Sequence, residues 1–298
     1  MEQAAGLRHQ PATGAASGWI NGFIGVVIFS GSLPATRVAV LDFEPLFLTA
    51  ARASLAGLLA ACVLLLFSAA RPTRRDLAPL LVTAGGVVIG FPLLTALALQ
   101  RITSAHSIVF LGLLPLATAV FGVVRGGERP RPAFWFFSAL GSLMVAGFAV
   151  SQGLAADPLG DLLMLVAILV CGLGYAEGAR LSRTLGGWQV ISWALVLSLP
   201  LTAPLTLLLA PASFAGIGAP AWVSLAYVAL FSMFLGFVFW YRGLAQGGIA
   251  AVGQLQLLQP FFGLALAASL LRERVSLAML AVTVGVILCV AGAKKFAR

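Results

Sequence analysis

Long apolar runs separated by short polar clusters recur along the chain from residue 19 to residue 293. A helix needs about 20 apolar residues to cross the hydrocarbon core of a bilayer, and irregular backbone cannot face lipid. Cutting the chain at its charged and Pro/Gly clusters therefore predicts ten transmembrane helices. Their expected ranges are 19–40, 46–69, 77–100, 103–124, 133–151, 162–182, 188–209, 221–244, 249–271 and 275–293.

The composition supports a single membrane domain over nearly the whole chain. Hydrophobic residues make up 61% of the sequence and charged residues 9%, with a mean hydropathy of +1.06, whereas a soluble domain has about 25% charged residues. The connections between the apolar runs are too short to hold a soluble domain. Cys62, Cys171 and Cys289 lie inside apolar runs without a neighbour at metal-ligand or redox spacing. No cofactor or metal is therefore expected.

The net charge of +9 comes from cations that stand singly or in threes between apolar runs. A nucleic-acid-binding protein would cluster them in one patch, so we expect no nucleic-acid partner. With the N-terminus in the cytoplasm, only Arg37, Arg101, Arg272 and Arg274 fall outside, and nearly all other Lys and Arg residues fall inside. This positive-inside bias predicts a multi-pass protein of a bacterial-type inner (plasma) membrane with both termini cytoplasmic.

The chain resembles itself at a shift of 145 residues. Because each half then holds five spans, equivalent helices cross the membrane in opposite directions. The prediction is a cytoplasmic tail (1–18), a first five-helix repeat (19–151) and an inverted second repeat with a short tail (152–298). The matched positions are Pro115 with Pro260, Glu128-Arg129 with Glu273-Arg274, Val145-Ala146-Gly147 with Val290-Ala291-Gly292 and, after a slip of one residue, Gly90-Phe91 and Gln100 with Gly236-Phe237 and Gln246.

Each half carries a helix with a central proline, Pro115 or Pro260, then a turn with a glutamate, Glu128 or Glu273, and then a Gly-rich final helix. Together with the polar first helix at residues 30–37, this pattern resembles the EamA type of the drug/metabolite transporter superfamily. Within that family the chain looks most like bacterial exporters of aromatic and other amino acids. The resemblance implies efflux of amino acids or similar amphiphiles through a central cavity between the halves.

Prolines and glutamines mark the expected position of that cavity. Substrate sites of inverted-repeat carriers lie near the midplane, often at broken helices, and proline breaks a helix because it lacks an N–H. We predict breaks at Pro92, Pro115 and Pro260. Gln256 and Gln259 share a helix face, and an uncharged amide can bind a zwitterion without the cost of burying a charge. Helix-to-helix hydrogen bonding is the competing interpretation of these glutamines.

Ionisable residues inside membrane spans are functional candidates. Glu177 is the carboxylate that lies well inside a span, and Arg180 stands three residues on, a spacing that permits a helical ion pair. Structural pairing and a role in proton or ammonium binding both stay open. His106, near the outer end of the fourth span, could bind a carboxylate or sense pH, although a solvated histidine is the more ordinary interpretation.

Two further arginines, Arg37 and Arg52, lie near the outer ends of their spans and close in sequence to Asp42 and Glu44. For these arginines, snorkelling or ion pairing is favoured over substrate capture.

Aromatic residues with a polar tip lie on the sixth and eighth helices, which by the family resemblance face the cavity. Their rings could stack on an aromatic side chain or hold an ammonium group. Small-xxx-small glycine pairs, such as Gly18 with Gly22 and Gly243 with Gly247, permit close helix approach. The full predicted substrate-binding set is Ser30, Pro34, Thr95, His106, Phe110, Tyr175, Glu177, Trp240, Tyr241, Gln254, Gln256 and Gln259.

The sequence thus predicts an all-α integral membrane protein with ten transmembrane helices as two inverted five-helix repeats around a central cavity. The expected function is secondary transport that exports aromatic and other neutral amino acids and related small metabolites across the inner membrane by alternating access. The protein is expected to act as a monomer or weak dimer in the bilayer. A multidrug or other metabolite efflux carrier of the same family is the alternative. An intramembrane lipid-modifying enzyme would need a cluster of His, Asp, Glu or Cys, and a channel would need rings of similar polar groups. Both are disfavoured, and no catalysis is expected.

Overall fold

The computed structural model describes residues 12–102, 107, 110–151, 157–263, 265 and 277–297, and the regular elements of those ranges are helical. The α-helices are α1 (Ala12–Ser30), α2 (Ser32–Ala39), α3 (Pro45–Leu66), α4 (Arg74–Thr83), α5 (Phe91–Arg101), α6 (Leu114–Gly126), α7 (Pro132–Ser151), α8 (Pro158–Leu185), α9 (Gly187–Leu208), α10 (Ala219–Ala226), α11 (Gly236–Gly247), α12 (Ile249–Gly253) and α13 (Leu277–Phe296).

Six helical segments of the described chain are long and apolar enough to cross a membrane. They overlap the first, second, third, sixth, seventh and eighth predicted spans. Shorter apolar helices, Leu114–Gly126 and Pro132–Phe148, and helix α13 overlap the fourth, fifth and tenth predicted spans. Parts of the fourth and ninth predicted spans lie outside the described residues. The six long segments are Ala16–Ala39, Pro45–Leu66, Arg74–Arg101, Pro158–Leu185, Gly187–Leu208 and Ala219–Gly247.

Two of these spans contain a π-helical segment, Ala84–Gly90 and Tyr227–Leu235. In the first, the Phe91 N–H donates to the Gly86 carbonyl five residues earlier, and in the second the Gly236 N–H donates to the Phe231 carbonyl. Such segments are often found at functional sites. The two bonds are 145 residues apart, since 236 − 91 and 231 − 86 each equal 145, which is within one residue of the local match of Gly90-Phe91 with Gly236-Phe237. The internal repeat is therefore visible in a local irregularity of the backbone.

Close glycine contacts join helices of the two halves. The N–H nitrogen of Gly22 in α1 would lie 2.5 Å from a Cβ placed on Gly243 of α11. Gly86, in the third span, likewise approaches Gly174 of α8, with 3.0 Å between a Cβ on Gly86 and the Gly174 Cα. Backbones approach this closely only where side chains are absent. The two contacts join the first span to the eighth and the third to the sixth, which are equivalent pairs under the repeat.

Two further large contacts between the halves pair α3 with α9 and α7 with α13. These are the second span with the seventh and the fifth with the tenth, so each pair joins a helix to its own equivalent. A duplicated five-helix unit fits this arrangement, because a two-fold relation maps each such pair onto itself. Buried side chains from both halves form one large core around Tyr175, Phe237 and Trp240.

The bundle has two chemically different ends. The basic end carries Arg125, Arg180, Arg183 and Lys294, and the Lys294 Nζ lies 4.4 Å from the centre of the Trp19 ring. At the opposite end the connection after α2 contacts the connection after α9. There the Gly218 N–H donates to the Asp42 carboxylate at 3.0 Å.

Candidate functional site

A small cavity of about 40 Å³, the central cavity, lies between the two halves of the sequence. Its walls come from the first four predicted spans of the first half and from the sixth, eighth and ninth spans of the second. They combine aromatic rings, aliphatic side chains, five hydroxyl groups including that of Tyr175, one amide and one guanidinium. The lining residues are Phe29, Ser32, Leu33, Thr36, Arg52, Val87, Phe91, Pro92, Thr95, Leu111, Leu114, Tyr175, Ser232, Phe237 and Gln259.

The polar lining groups are linked across the two halves. The Ser32 hydroxyl donates to the Ser232 hydroxyl at 2.7 Å. The Gln259 amide nitrogen donates to the Phe29 carbonyl at 3.2 Å, a carbonyl close to the break between α1 and α2. The Thr95 hydroxyl is buried and has no hydrogen-bond partner among the described residues. The cavity therefore holds hydrogen-bonding capacity that the fold does not use.

Arg52 is the cationic group of this lining, and its placement corrects the sequence expectation. The side chain neither snorkels to a surface nor pairs with an acid: it is only 6% exposed, and it forms no salt bridge to a carboxylate of the described residues. The neighbouring acids are engaged elsewhere, because Asp42 accepts from the Gly218 N–H and Glu44 accepts from the Phe47 N–H, capping α3.

The glutamine-rich segment before Pro260 leaves α-helical geometry. Residues Gln254–Leu258 form a 3₁₀ helix, and the Gln259 N–H donates to the Gln256 carbonyl. Pro260 explains the change, because it has no N–H to complete the α-helical bond to that carbonyl. The Gln256 side chain is 2% exposed, and its amide atoms have no hydrogen-bond partner in the described part of the chain. Of the three predicted glutamines, Gln259 lines the central cavity.

The predicted aromatic residues form one cluster beside the cavity. Tyr175 lines the cavity itself, and its ring centre lies 5.5 Å from that of Trp240 and 5.9 Å from that of Phe237. Trp240 and Tyr241 are fully buried behind this wall. The Tyr241 hydroxyl donates to the Gly174 carbonyl at 3.1 Å, which ties α11 to α8.

Other predicted residues lie away from the lining. Ser30 is buried and donates its hydroxyl to the Val26 carbonyl at 2.7 Å. Pro34 is exposed on α2, and Phe110 is half-buried against the apolar core. His106 lies outside the described residues. Of the predicted helix breaks, Pro92 lines the cavity directly after a π-helical segment, and Pro115 begins helix α6 after a turn.

Comparison with known proteins identifies the family. The sequence model of the EamA-like transporter family matches this chain twice, over residues 16–150 and 158–293. The chain belongs to the EamA-like transporter family. It is 71% identical over 282 residues to the uncharacterized transporter YdeK of Bacillus subtilis (strain 168), a match that covers 95% of this chain and 98% of that relative. The double match of the EamA family model agrees with the duplicated unit of the fold.

The fold of this EamA family member is also found in a solved crystal structure. The two share a TM-score of 0.75 at 19% sequence identity, and the match covers 93% of this chain and 98% of the other. At that identity the likeness concerns the fold.

The basic end of this EamA family member holds a buried carboxylate between two arginines. Glu177 is fully buried. One of its carboxylate oxygens accepts from the Arg125 Nε, and the other accepts from the Arg180 guanidinium at 2.8 Å. Arg125 belongs to the first half and Glu177 to the second, so the ion pairs join the halves. Glu177 does not line the central cavity of the described structure.

Glu128 makes a second connection at the same end. Its two carboxylate oxygens accept from the backbone N–H groups of Ile249 and Ala250 at 2.6 and 2.7 Å, and the Arg183 guanidinium donates to it at 3.1 Å. A carboxylate is well placed at a helix N-terminus, where free N–H groups meet. In the sequence, Glu128 stands out only as a position of the repeat. Its recurrence as Glu273 was a signal of structural importance, but the partner helix of Glu128 was not evident from sequence.

Proposed function

We propose that this EamA family member is a secondary transporter that exports amino acids and related small metabolites by alternating access. The central cavity is the observation that supports this proposal. It lies inside the apolar spans, at the contact between the two halves, and it combines hydroxyl, amide and guanidinium groups with an aromatic wall. Carriers built from repeats bind their cargo at such a position.

The proposed architecture has ten transmembrane helices in two inverted halves, with the basic end of the bundle in the cytoplasm of a bacterial-type inner membrane. The charge asymmetry supports this orientation. Fusing a reporter enzyme that is active only in the cytoplasm to the C-terminus tests it, and we expect activity there. Activity of the reporter at residues 211–218 instead, with none at the C-terminus, would reverse the orientation.

In the proposed cycle the described conformation is closed. A volume of about 40 Å³ is far below the roughly 300–1,000 Å³ of a typical small-molecule site. The Glu128 and Glu177 networks hold the halves together at the basic end. Cargo from the cytoplasm would therefore enter only after these contacts open. Transport without chemical change of the cargo is part of the proposal.

Efflux of lipophilic cations is the second candidate within the family. The charge of the central cavity favours amino acids over such compounds. A drug cation would meet the Arg52 guanidinium inside a low-dielectric site, where like charges repel strongly. No carboxylate among the described residues lines the central cavity to offset this repulsion.

Purified protein in liposomes tests the proposed function. We expect saturable release of labelled phenylalanine, methionine or threonine, measured with and without a pH gradient, and no such release from liposomes without protein. Gln259→Leu should weaken transport about 2- to 10-fold, the equivalent of one neutral hydrogen bond. Gln189→Leu, at the basic end, is the matched control and should transport normally. Absence of saturable release for all three amino acids would contradict the proposal.

A further inference from the structure

Arg52 lies deep in the protein because helix α3 is buried on nearly all sides around it. It follows the start of α3 at Pro45 by two turns, and its neighbours Ala51, Ala53 and Ser54 are also buried. Helix α3 packs against the π-helical segment Tyr227–Leu235, and Arg52 bonds to Val228 and Ser232 of that segment. The guanidinium therefore points into the contact between the halves rather than toward lipid or water.

The hydrogen bonds made by Arg52 do not satisfy it. A guanidinium has five N–H donors and stays charged in proteins. One terminal nitrogen donates to the Val228 carbonyl at 3.3 Å and to the Ser232 hydroxyl at 3.4 Å, both long and both to neutral acceptors. The Nε is buried without a partner among the described residues. Burying a charge in this way is costly unless an anion completes the site.

The groups around Arg52 suit an oxyanion. Ser232 and Ser32 place hydroxyl groups beside it, and the Thr95 hydroxyl, which lines the same cavity, has no partner among the described residues. A carboxylate matches the planar fork of a guanidinium with two parallel hydrogen bonds, and such charge-assisted bonds are about twice as strong as neutral ones. Hydroxyl donors can satisfy its remaining lone pairs.

Aromatic side chains in the lining of the same cavity indicate what the carboxylate is attached to. Phe29, Tyr175 and Phe237 line it, and the ring centres of Phe29 and Phe237 are 5.0 Å apart. Such a wall favours an apolar or aromatic group.

We propose that Arg52 binds the carboxylate of the transported molecule, which makes the central cavity a site for monocarboxylates with an apolar or aromatic remainder. The inference rests on the proposed function, because the carboxylate belongs to the cargo of the same cavity. In this proposal Arg52 selects cargo with a negative charge, and its hydrogen-bond partners among the described residues are the neutral Val228 carbonyl and Ser232 hydroxyl.

The test compares a carboxylate with its amide in binding and in transport. Thermal unfolding of the purified wild-type protein is followed with 3-phenylpropanoate and with 3-phenylpropanamide, which differ only in the charged group. We expect the carboxylate to raise the Tm at a concentration at least about tenfold below that needed for the amide. Equal stabilisation by both compounds, or by neither, would overturn the assignment of Arg52 without any variant being made.

Variants of Arg52 test the residue itself. In liposomes, Arg52→Gln should raise the KM for phenylalanine at least about tenfold and should not raise the KM for phenylalaninamide, which has no carboxylate to lose, while Arg52→Lys should lie between Arg52→Gln and the wild type. Arg37→Gln is the matched control, because Arg37 donates to the Leu99 carbonyl and does not line the cavity in the described structure. A folded Arg52→Gln protein with an unchanged KM would disprove the inference and leave amino-acid export standing.

Failure of the proposed function gives a different result. If the wild-type protein releases no amino acid, export of amino acids is rejected. Stabilisation by 3-phenylpropanoate that Arg52→Gln abolishes would then still establish the carboxylate site.

Discussion

Two buried charges of this transporter have opposite environments, and the difference separates their roles. Glu177 is fully buried between two arginines whose side chains are 47% and 41% exposed. Arg52 is buried beside neutral groups. A buried ion that is already paired contributes to structure, whereas a buried ion without a counter-ion needs a ligand. We therefore expect Glu177 to hold the basic end together and Arg52 to contact cargo.

Replacing Glu177 by Gln tests its structural role. The change leaves Arg125 and Arg180 without their shared anion. Breaking a buried pair costs about 3–5 kcal/mol, and the partial exposure of both arginines reduces this to roughly 1–3 kcal/mol. We expect a lower Tm for Glu177→Gln in detergent, with the response of flux to a pH gradient unchanged. Arg129→Gln, which removes an exposed charge at the same end, should leave the Tm unchanged. A normal Tm with a lost pH response would instead assign proton binding to Glu177.

At this scale the sequence predicted some site residues and missed others. Thr95, Tyr175 and Gln259 could be selected because polar groups in an apolar span are rare, and all three line the cavity. The position of Arg52 near a helix end suggested snorkelling, because sequence gives the depth of a residue but not its neighbours. Its burial depends on how α3 is rotated against the π-helical segment of the eighth span.

Among the elements, the contact of α1 with α11 depends on glycine. A Cβ on Gly243 would lie 2.5 Å from the Gly22 nitrogen, a distance that backbone atoms cannot relieve by rotating. Gly243→Leu should therefore separate the helices and destabilise the protein by about 1–3 kcal/mol or more. The measurement is thermal unfolding in detergent. Gly147→Leu is the matched control, since a Cβ there meets nothing within 4 Å of the described structure. Equal Tm values for the two variants would contradict this packing.

The start of helix α8 depends on Asp157, which lies outside the spans. The Gly160 N–H donates to its carboxylate at 2.7 Å, and Arg101 pairs with it at 3.3 Å. These bonds hold the pKa of the Asp157 carboxyl below its ordinary value. Because the folded-state pKa is lowered, the stabilisation is present above the unfolded-state pKa of about 3.9 and is lost as the pH falls through the folded-state value.

Replacing Asp157 by Ala should therefore lower the Tm at neutral pH. We expect the difference from the wild type to shrink when Tm is measured at pH values falling below about 4. Asp76→Ala, which removes the capping box of α4, is the comparison variant. It shows whether the loss of any helix cap changes the Tm with pH in the same way. A difference for Asp157→Ala that does not change between pH 7 and the acidic limit would contradict the role of the ionised carboxylate.

Helix positions were predictable because apolar runs of membrane length are distinctive. The internal geometry of the helices was only partly predictable. Pro260 and Pro92 indicated where the helix would be interrupted, and the 3₁₀ and π-helical segments lie beside them. The π-helical segment Tyr227–Leu235 contains no proline, so its residue types did not predict an interruption of the helix. Its repeat relation to the segment before Phe91 was the available signal.

At the scale of the whole molecule, Glu128 connects the two halves. It belongs to the turn after α6 and caps α12 of the other half through Ile249 and Ala250. Glu128→Gln should weaken this closure, because a neutral amide loses the attraction to the helix N-terminus and to Arg183. We expect the basic end to open more often and the transport rate to change by about 2- to 10-fold, the effect of a coupling of roughly 1 kcal/mol.

Labelling measures this opening directly. Ala251, which lines a pocket of about 350 Å³ at the basic end, is changed to Cys in a background where Cys62, Cys171 and Cys289 are replaced by Ala. Maleimide should label this cysteine faster when Glu128→Gln is present, and Arg131→Gln, an exposed position that does not line this pocket in the described structure, should give the original rate. Equal labelling in both backgrounds would show that the Glu128 cap does not control access.

The relation between the halves was predictable from spacing. Several identities, such as Pro115 with Pro260 and Glu128 with Glu273, recur at the same shift of 145 residues. Chance agreement of this kind is rare for glutamate, because the sequence has few acidic residues. Which helices would touch across the halves was not, because contact depends on glycine faces whose partners lie far away in sequence. The size of the space left between the halves depends on many side chains at once, and no local pattern reports it.

The central cavity, at about 40 Å³, has room for no more than a few water molecules. A ligand as large as an amino acid can therefore bind only when the cavity widens, either on binding or in a conformation that is already open. Only the fraction of protein molecules in an open conformation can bind the cargo. The observed dissociation constant therefore equals the intrinsic constant divided by that fraction. We expect a carrier that transports slowly at low cargo concentration and exports the compound rapidly only when it accumulates.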